Sequence, residues 1–261
     1  MEAGEVGIVR PRVNLAAKMR LFCFPYAGGG SAIFYRWKEH LPPTVEVCSV
    51  QLPGRESRFT MRPYSTMQPL VEAVASAILP FLDKPYALFG HSFGALVAFE
   101  LARYLHDQGM PRPLSLLLSA ADAPHVDGAT DTLHTLPDEE LIRQLSLLQG
   151  TPQEILLHPE VMQLLLPTIR ADLQVFETYT YQARPPLHCP IAVFGAFDDK
   201  RVARPGLERW RHHTSSVFSL TMLPGDHFFI HSARRALVER VERRLEAALD
   251  EVWLDEGCSA K

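Results

Sequence analysis

At 261 residues, with 47% hydrophobic and 21% charged, the chain carries ample material for a core and has the size of one large α/β unit, which excludes a disordered or fibrous segment. A net charge of -4 leaves no basic footprint for nucleic acid, and no run approaches the ~20 apolar residues of a membrane span. The polar start MEAGEVGIVRPRVNLAAKMR has no secretory apolar stretch, and Cys23, Cys48, Cys189 and Cys258 lack metal-ligand spacing or a disulfide pattern. A reduced, cytoplasmic, monomeric protein without metal or cofactor is the expectation.

Residues 1–18 are polar and irregular and read as a flexible tail before a domain spanning 19–250. Short apolar runs then alternate with helical patterns. The strand candidates, in order, are Arg20–Phe24, Val45–Leu52, Tyr86–Phe89, Leu114–Ala120, Ile191–Phe194 and Val217–Leu223. They are continuous rather than alternating, the pattern of strands buried on both faces of a mostly parallel sheet. Helical periodicity covers about Pro69–Leu82, Ala95–Gln108, Gly206–His212 and Ser232–Leu249. This order predicts an open α/β sheet with helices on both faces. From about 122 to 184 no strand candidate occurs. A capping box, Thr151-Pro152-Gln153-Glu154, starts one helix there. His158-Pro159 opens another, with Val161, Leu164, Leu165, Ile169, Leu173 and Phe176 at helical spacing and Pro167 expected to kink it. Inserted near the carboxyl edge of the sheet, where α/β proteins bind ligands, this stretch is expected to be a helical lid. Residues 251–261 read as a frayed C-terminal tail.

Gly90-His91-Ser92-Phe93-Gly94 has the form G-x-S-x-G, a pattern that arises by chance in about one chain in ten of this length. Its context carries more weight. An apolar strand, Tyr86–Phe89, runs into it and a helix leaves at once, the setting of a nucleophile elbow. A serine hydroxyl needs a base. Of eleven histidines, His227 stands in a glycine-containing loop between the last strand and the final helix, with His231 as its rival. His91 adjoins the serine but points away from it on a tight turn, and His212 and His213 read as solvated. The third member should be a carboxylate after the preceding strand, and IAVFGAFDDK supplies Asp198 and Asp199. Asp198, three residues beyond Gly195, is the choice, Asp199 being read as a solvated loop charge. The order Ser92, Asp198, His227 is that of the α/β-hydrolase fold. The backbone N–H of Phe93 and that of Ala27, in the loop Pro25-Tyr26-Ala27-Gly28-Gly29-Gly30, would form the oxyanion hole. No Gly-Lys-Ser/Thr follows that loop, which excludes a P-loop.

FPYAGGGS (24–31), QLPGRESR (51–58), GHSFG (90–94), IRADL (169–173), GAFDD (195–199) and LPGDHFFI (223–230) together resemble type II thioesterases, from about residue 18 to 248. The resemblance implies a stand-alone α/β-hydrolase serving polyketide synthases, nonribosomal peptide synthetases or, in mammals, fatty acid synthase. Such an enzyme hydrolyses acyl thioesters on the phosphopantetheine arm of carrier proteins, its partners. Asp226 is a departure, since relatives often have Gly before this histidine. Arg55 and Arg58 would meet the carrier's phosphate or its acidic surface, or Arg55 would pair with Glu56 to hold its own loop. Arg170 and Asp172 read as a structural pair, and Leu165, Leu166 and Phe176 as helix core. Competing readings are a carboxylesterase or lipase acting on oxygen esters, a medium-chain fatty acyl thioesterase, a type I thioesterase excised from a synthase, and a non-catalytic carrier-binding module.

Overall fold

The computed structural model describes residues 4–124, 132–147 and 158–259. Seven strands form one sheet in the order β1-β3-β2-β4-β5-β6-β7. They are β1 (Gly7–Val9), β2 (Met19–Phe24), β3 (Val45–Gln51), β4 (Tyr86–His91), β5 (Leu116–Ser119), β6 (Ile191–Ala196) and β7 (Phe218–Leu223). All pairs are parallel except β1 with β3. Every residue of β2, β3, β4, β5 and β6 is buried, as continuous apolar runs require of strands covered on both faces. Alternate side chains feed two cores. Phe22, Phe24, Leu88 and Val193 face α1 (Met67–Ile78) and α2 (Phe93–Asp107). Leu21, Cys23, Phe89 and Phe194 pack with the long C-terminal helix, Arg234–Ser259, through its stripe Leu237, Val238, Val241 and Leu245.

Between β5 and β6 lie α3 (Asp138–Leu147) and α4 (Pro159–Glu177). Leu141 of α3 joins Met162, Leu166, Ile169 and Leu173 of α4 in a third, smaller apolar cluster. The helix expected at His158-Pro159 is therefore present, with Ile169, Leu173 and Leu166 buried as expected, but other members of the expected apolar face are not. Val161, Leu164 and Phe176 are exposed, whereas Met162 and Leu166 are buried. Pro167 lies inside α4. The capping box at Thr151–Glu154 falls outside the described residues. Two short helices, α5 (Arg204–Glu208) and α6 (Phe229–Ser232), precede α7, the long C-terminal helix above.

Two expectations about the ends are corrected. The first 18 residues are not a loose tail: Gly7–Val9 pairs antiparallel with Ser49–Gln51 as an edge strand. The carboxylate of buried Glu46 accepts hydrogen bonds from the Arg10 guanidinium at 3.3 Å and the Asn14 backbone N–H at 3.1 Å, tying down the segment that follows. At the other end the last helix continues to Ser259, through the stretch read as frayed.

Candidate active site

The β4–α2 junction is built by close backbone approach. A Cβ on Gly90 would collide with the backbone of Gly94 and Ala95, and one on Gly94 with the carbonyls of Phe24 and Pro25. Only glycine fits at either place. Between them Ser92 stands at φ 55°, ψ -119°, outside the regions ordinary residues adopt. Such a conformation costs about 1–3 kcal/mol and persists where surrounding structure imposes it. Here the Ser92 N–H donates to the Ser119 carbonyl at 2.7 Å, and the Ser92 carbonyl accepts from Ala95 N–H at 2.9 Å. The serine is the N-cap of α2, so its hydroxyl sits where the helix N-terminus favours negative charge. Phe93 is the first residue of that helix, and its N–H has no intrahelical acceptor.

His227 Nε2 lies 3.0 Å from Ser92 Oγ, and His227 Nδ1 lies 2.8 Å from Asp199 Oδ2. An ionised carboxylate only accepts, so Nδ1 carries the proton and Nε2 has its lone pair directed at the serine hydroxyl. The acid on the histidine is thus Asp199, not the expected Asp198. The strand reading stopped β6 at Phe194, whereas the ladder continues through Gly195 and Ala196 beside Met222 and Leu223. Phe197 and Asp198 extend this pairing through N–H donation to the carbonyls of Leu223 and Gly225 at 3.0 Å each. Asp198 is exposed, and the next residue turns back over the sheet edge with its side chain 1% exposed. Burial alone would raise the Asp199 pKa. The hydrogen bond and charge of His227, with N–H donation from Arg201 and Val202, outweigh that and hold it below the usual carboxylate value.

The other histidines separate as geometry demands. His91 is fully buried, 2.9 Å from both Ser119 Oγ and the His227 carbonyl. A carbonyl only accepts, so His91 Nε2–H donates to it and Nδ1 accepts from the Ser119 hydroxyl. Burial, followed by the proximity of His227, pushes its pKa well down, against the bond to the His227 carbonyl. Neutral His91 therefore props the loop of His227, a role that its position beside the serine did not reveal. His231 contacts the Tyr26 hydroxyl at 2.9 Å, and His213 is buried rather than solvated. Asp226 shapes its own turn, accepting from Phe228 N–H at 2.8 Å while Gly225 takes φ 113°.

Asp122, just beyond β5, went unnoticed in the sequence. Its pKa is pushed up to about 6 by burial and then by Asp199, and its Oδ1 is buried without a hydrogen-bond partner among the described residues.

The loop after β2 begins against the elbow, since the carbonyls of Phe24 and Pro25 press on Gly94. Gly29 N–H bonds to the Tyr26 carbonyl at 2.8 Å, closing a turn over Tyr26–Gly29 with Gly28 at φ 75°. Arg55 and Glu56 do not pair with each other. Arg55 is buried and forms a bidentate pair with Asp172 of α4, at 2.8 Å on each arm. Glu56 accepts from Ser31 N–H at 3.0 Å, Ala32 N–H at 2.9 Å and the Ser31 hydroxyl at 2.6 Å, capping the 3-10 helix Ser31–Glu39. Arg170 bonds to Asp138 and to the carbonyls of His134 and Leu136 rather than to Asp172. Arg58 packs on Gly7 of the edge strand. Among the described residues no group of three or more His, Cys, Asp or Glu side chains could hold a metal ion, and no helix is long and apolar enough to cross a membrane.

Comparison with known proteins identifies the family and the fold. Residues 19–245 match the thioesterase domain family. The gramicidin S biosynthesis protein GrsT of Aneurinibacillus migulanus is 44% identical over 241 residues, 92% of this chain and 94% of that one. RedJ, a thioesterase from the prodiginine biosynthetic pathway in Streptomyces coelicolor, superposes with a TM-score of 0.84 at 42% identity, covering 89% of this chain and 92% of its own. BorB, the type II thioesterase of the borrelidin biosynthetic cluster, superposes at 0.85 with 34% identity, covering 92% and 97%. The chain belongs to the thioesterase family, in its type II branch.

Proposed function

We propose that this thioesterase removes acyl groups from the phosphopantetheine arm of carrier proteins in a polyketide or nonribosomal peptide pathway, with Ser92, His227 and Asp199 as its catalytic residues. The observation that carries this reading is the unbroken line from Ser92 Oγ to His227 Nε2 at 3.0 Å and from His227 Nδ1 to Asp199 at 2.8 Å, set on a strained elbow. Ser92 Oγ attacks the thioester carbonyl while His227 Nε2 takes its proton, and ionised Asp199 stabilises the imidazolium. The N–H groups of Phe93 and Ala27 receive the oxyanion. Collapse of the tetrahedral adduct breaks the C–S bond, and His227 returns the proton to the departing sulfur. Water, deprotonated by His227, then attacks the acyl-Ser92 ester, and the acid leaves as the serine regains its proton. No cofactor takes part. The relatives' places in gramicidin S, prodiginine and borrelidin biosynthesis support the carrier-bound substrate.

The test is one short acyl group presented on a holo carrier protein, on coenzyme A and as a simple oxygen ester. A marked preference for the carrier is the expected result. Equal or faster turnover of the oxygen ester would mean that the same three residues serve a general esterase, the second reading that this fold permits.

A further inference from the structure

The loop that carries Ala27 contains three successive glycines and so has no conformational preference of its own to hold a backbone N–H in place. What holds it comes from far along the chain. Asp172 Oδ2 accepts the Gly28 N–H at 2.7 Å and one arm of Arg55 at 2.8 Å, while Oδ1 accepts the other arm at 2.8 Å. The same Arg55 donates to the Gly29 carbonyl at 2.9 Å. The Ala27–Gly28 and Gly29–Gly30 peptide groups are therefore gripped by one ion pair, which contributes an acceptor to the first and a donor to the second. Two neighbours of Asp172 on α4 support the grip. Ile169 lies against Gly28, where a Cβ would strike its side chain at 2.6 Å, and Thr168 donates its hydroxyl to the Gly54 carbonyl at 2.6 Å, next to Arg55.

Both partners are almost completely withdrawn from water, with side chains 5% and 4% exposed. Burying such a pair costs desolvation free energy that an apolar pair of similar shape would not incur, so stability is a weak reason for its presence. We propose that Arg55 and Asp172 are positioning residues for the oxyanion hole, and that the part of α4 after Pro167 is a fixed wall of the active site. Of the exposed apolar side chains of α4, Val161 and Leu164 lie before Pro167 and Phe176 near the far end, while the residues that grip the loop, Thr168, Ile169 and Asp172, follow Pro167 directly. This inference rests on the assignment of Ala27 N–H to the oxyanion.

The experiment compares wild type, Asp172→Asn and the double variant Arg55→Met/Asp172→Leu. Each is assayed for melting temperature, for kcat and KM on an acyl-coenzyme A and on a p-nitrophenyl ester, and for affinity for a trifluoromethyl ketone that forms a tetrahedral adduct with the serine. The double variant keeps an apolar pair of similar length and so should melt within a few degrees of wild type. Its kcat should fall roughly 10- to 100-fold with KM changed less than about threefold, and the ketone should weaken by the same factor as kcat. Asp172→Asn retains an acceptor for the Gly28 N–H and should recover part of the loss. A double variant with kcat within twofold of wild type overturns the proposal. So does one that melts more than about ten degrees lower, or one that loses activity through KM alone. Because the same hole serves both substrates, a wild-type enzyme that turns over only the oxygen ester would contradict the thioesterase reading while the ratio of kcat values on that ester still decides the clamp.

Discussion

The elbow and the glycine loop meet at one point above the sheet and are held there by opposite means. At the elbow, Gly90 and Gly94 let backbone touch backbone, Gly90 within its own turn and Gly94 against Phe24 and Pro25, and the glycines and serine that make this possible all lie within residues 90–94. The glycine loop is held by side chains: Glu56 from 25 residues away along the chain at Ser31, and Asp172 from 144 residues away at Gly28. A device built from local backbone contacts announces itself as a short motif. One built from remote side chains leaves only isolated charged residues in the sequence, each of which has several plausible partners.

The contrast can be broken at its rigid end first. Gly94→Ala places a Cβ against the carbonyls of Phe24 and Pro25, which cannot move without displacing β2. We expect a loss of at least about 3 kcal/mol of stability together with loss of activity, seen as a large drop in melting temperature. Next in size is the pair Asp199→Asn and Asp198→Asn. The first removes the charge behind His227 and should lower kcat by about 10²- to 10⁴-fold, whereas the second should stay within about twofold. Reversed effects would return the role to Asp198.

Two smaller predictions turn on pH. Asp122 has its folded pKa raised from 3.8 to about 6, so the folded state keeps a proton that the unfolded chain has released. Its contribution is fully present below pH 3.8 and is lost as pH rises to about 6. The shift alone would give Asp122→Asn about 3 kcal/mol of added stability at pH 8. Solvent screening at this partly exposed site reduces that to about 1 kcal/mol, with the advantage fading as pH falls through that window. Glu56 shows the reverse sign. Burial works to raise its pKa, but hydrogen bonds from Ser31, Ala32 and Gln51 hold it below 4.5. Its contribution is present above pH 4.5 and is lost as pH falls through the lowered value. In melts across acid pH, Glu56→Gln should differ most from wild type near neutrality and converge with it toward pH 3.

What was legible in the sequence follows the same division. The six parallel strands, the serine on its elbow and the histidine after the last strand could all be read, because each follows from continuous apolar runs and local turn chemistry. The carboxylate that meets His227 was missed by one residue. The ladder of β6 runs past Gly195 to Ala196, and in extended backbone a shift of one residue turns a side chain to the opposite face. Pairing Arg170 with Asp172 failed because residues two apart on a helix point in different directions. Asp172 is free to meet Arg55, and Arg170 reaches Asp138 instead. The tail before β2 looked irregular because a three-residue edge strand has too few residues to show a pattern, and its anchor, Glu46, lies on another strand.

The most direct test of the central claim is to mix the enzyme with an acyl-loaded carrier protein, quench on the millisecond scale and measure intact masses of both proteins, with Ser92→Ala in parallel. The expected result is a transient gain of the acyl mass on the wild-type enzyme, mapped by peptide analysis to Ser92, with no adduct and no hydrolysis in Ser92→Ala. Hydrolysis of the carrier thioester at an undiminished rate by a folded Ser92→Ala protein would contradict the claim.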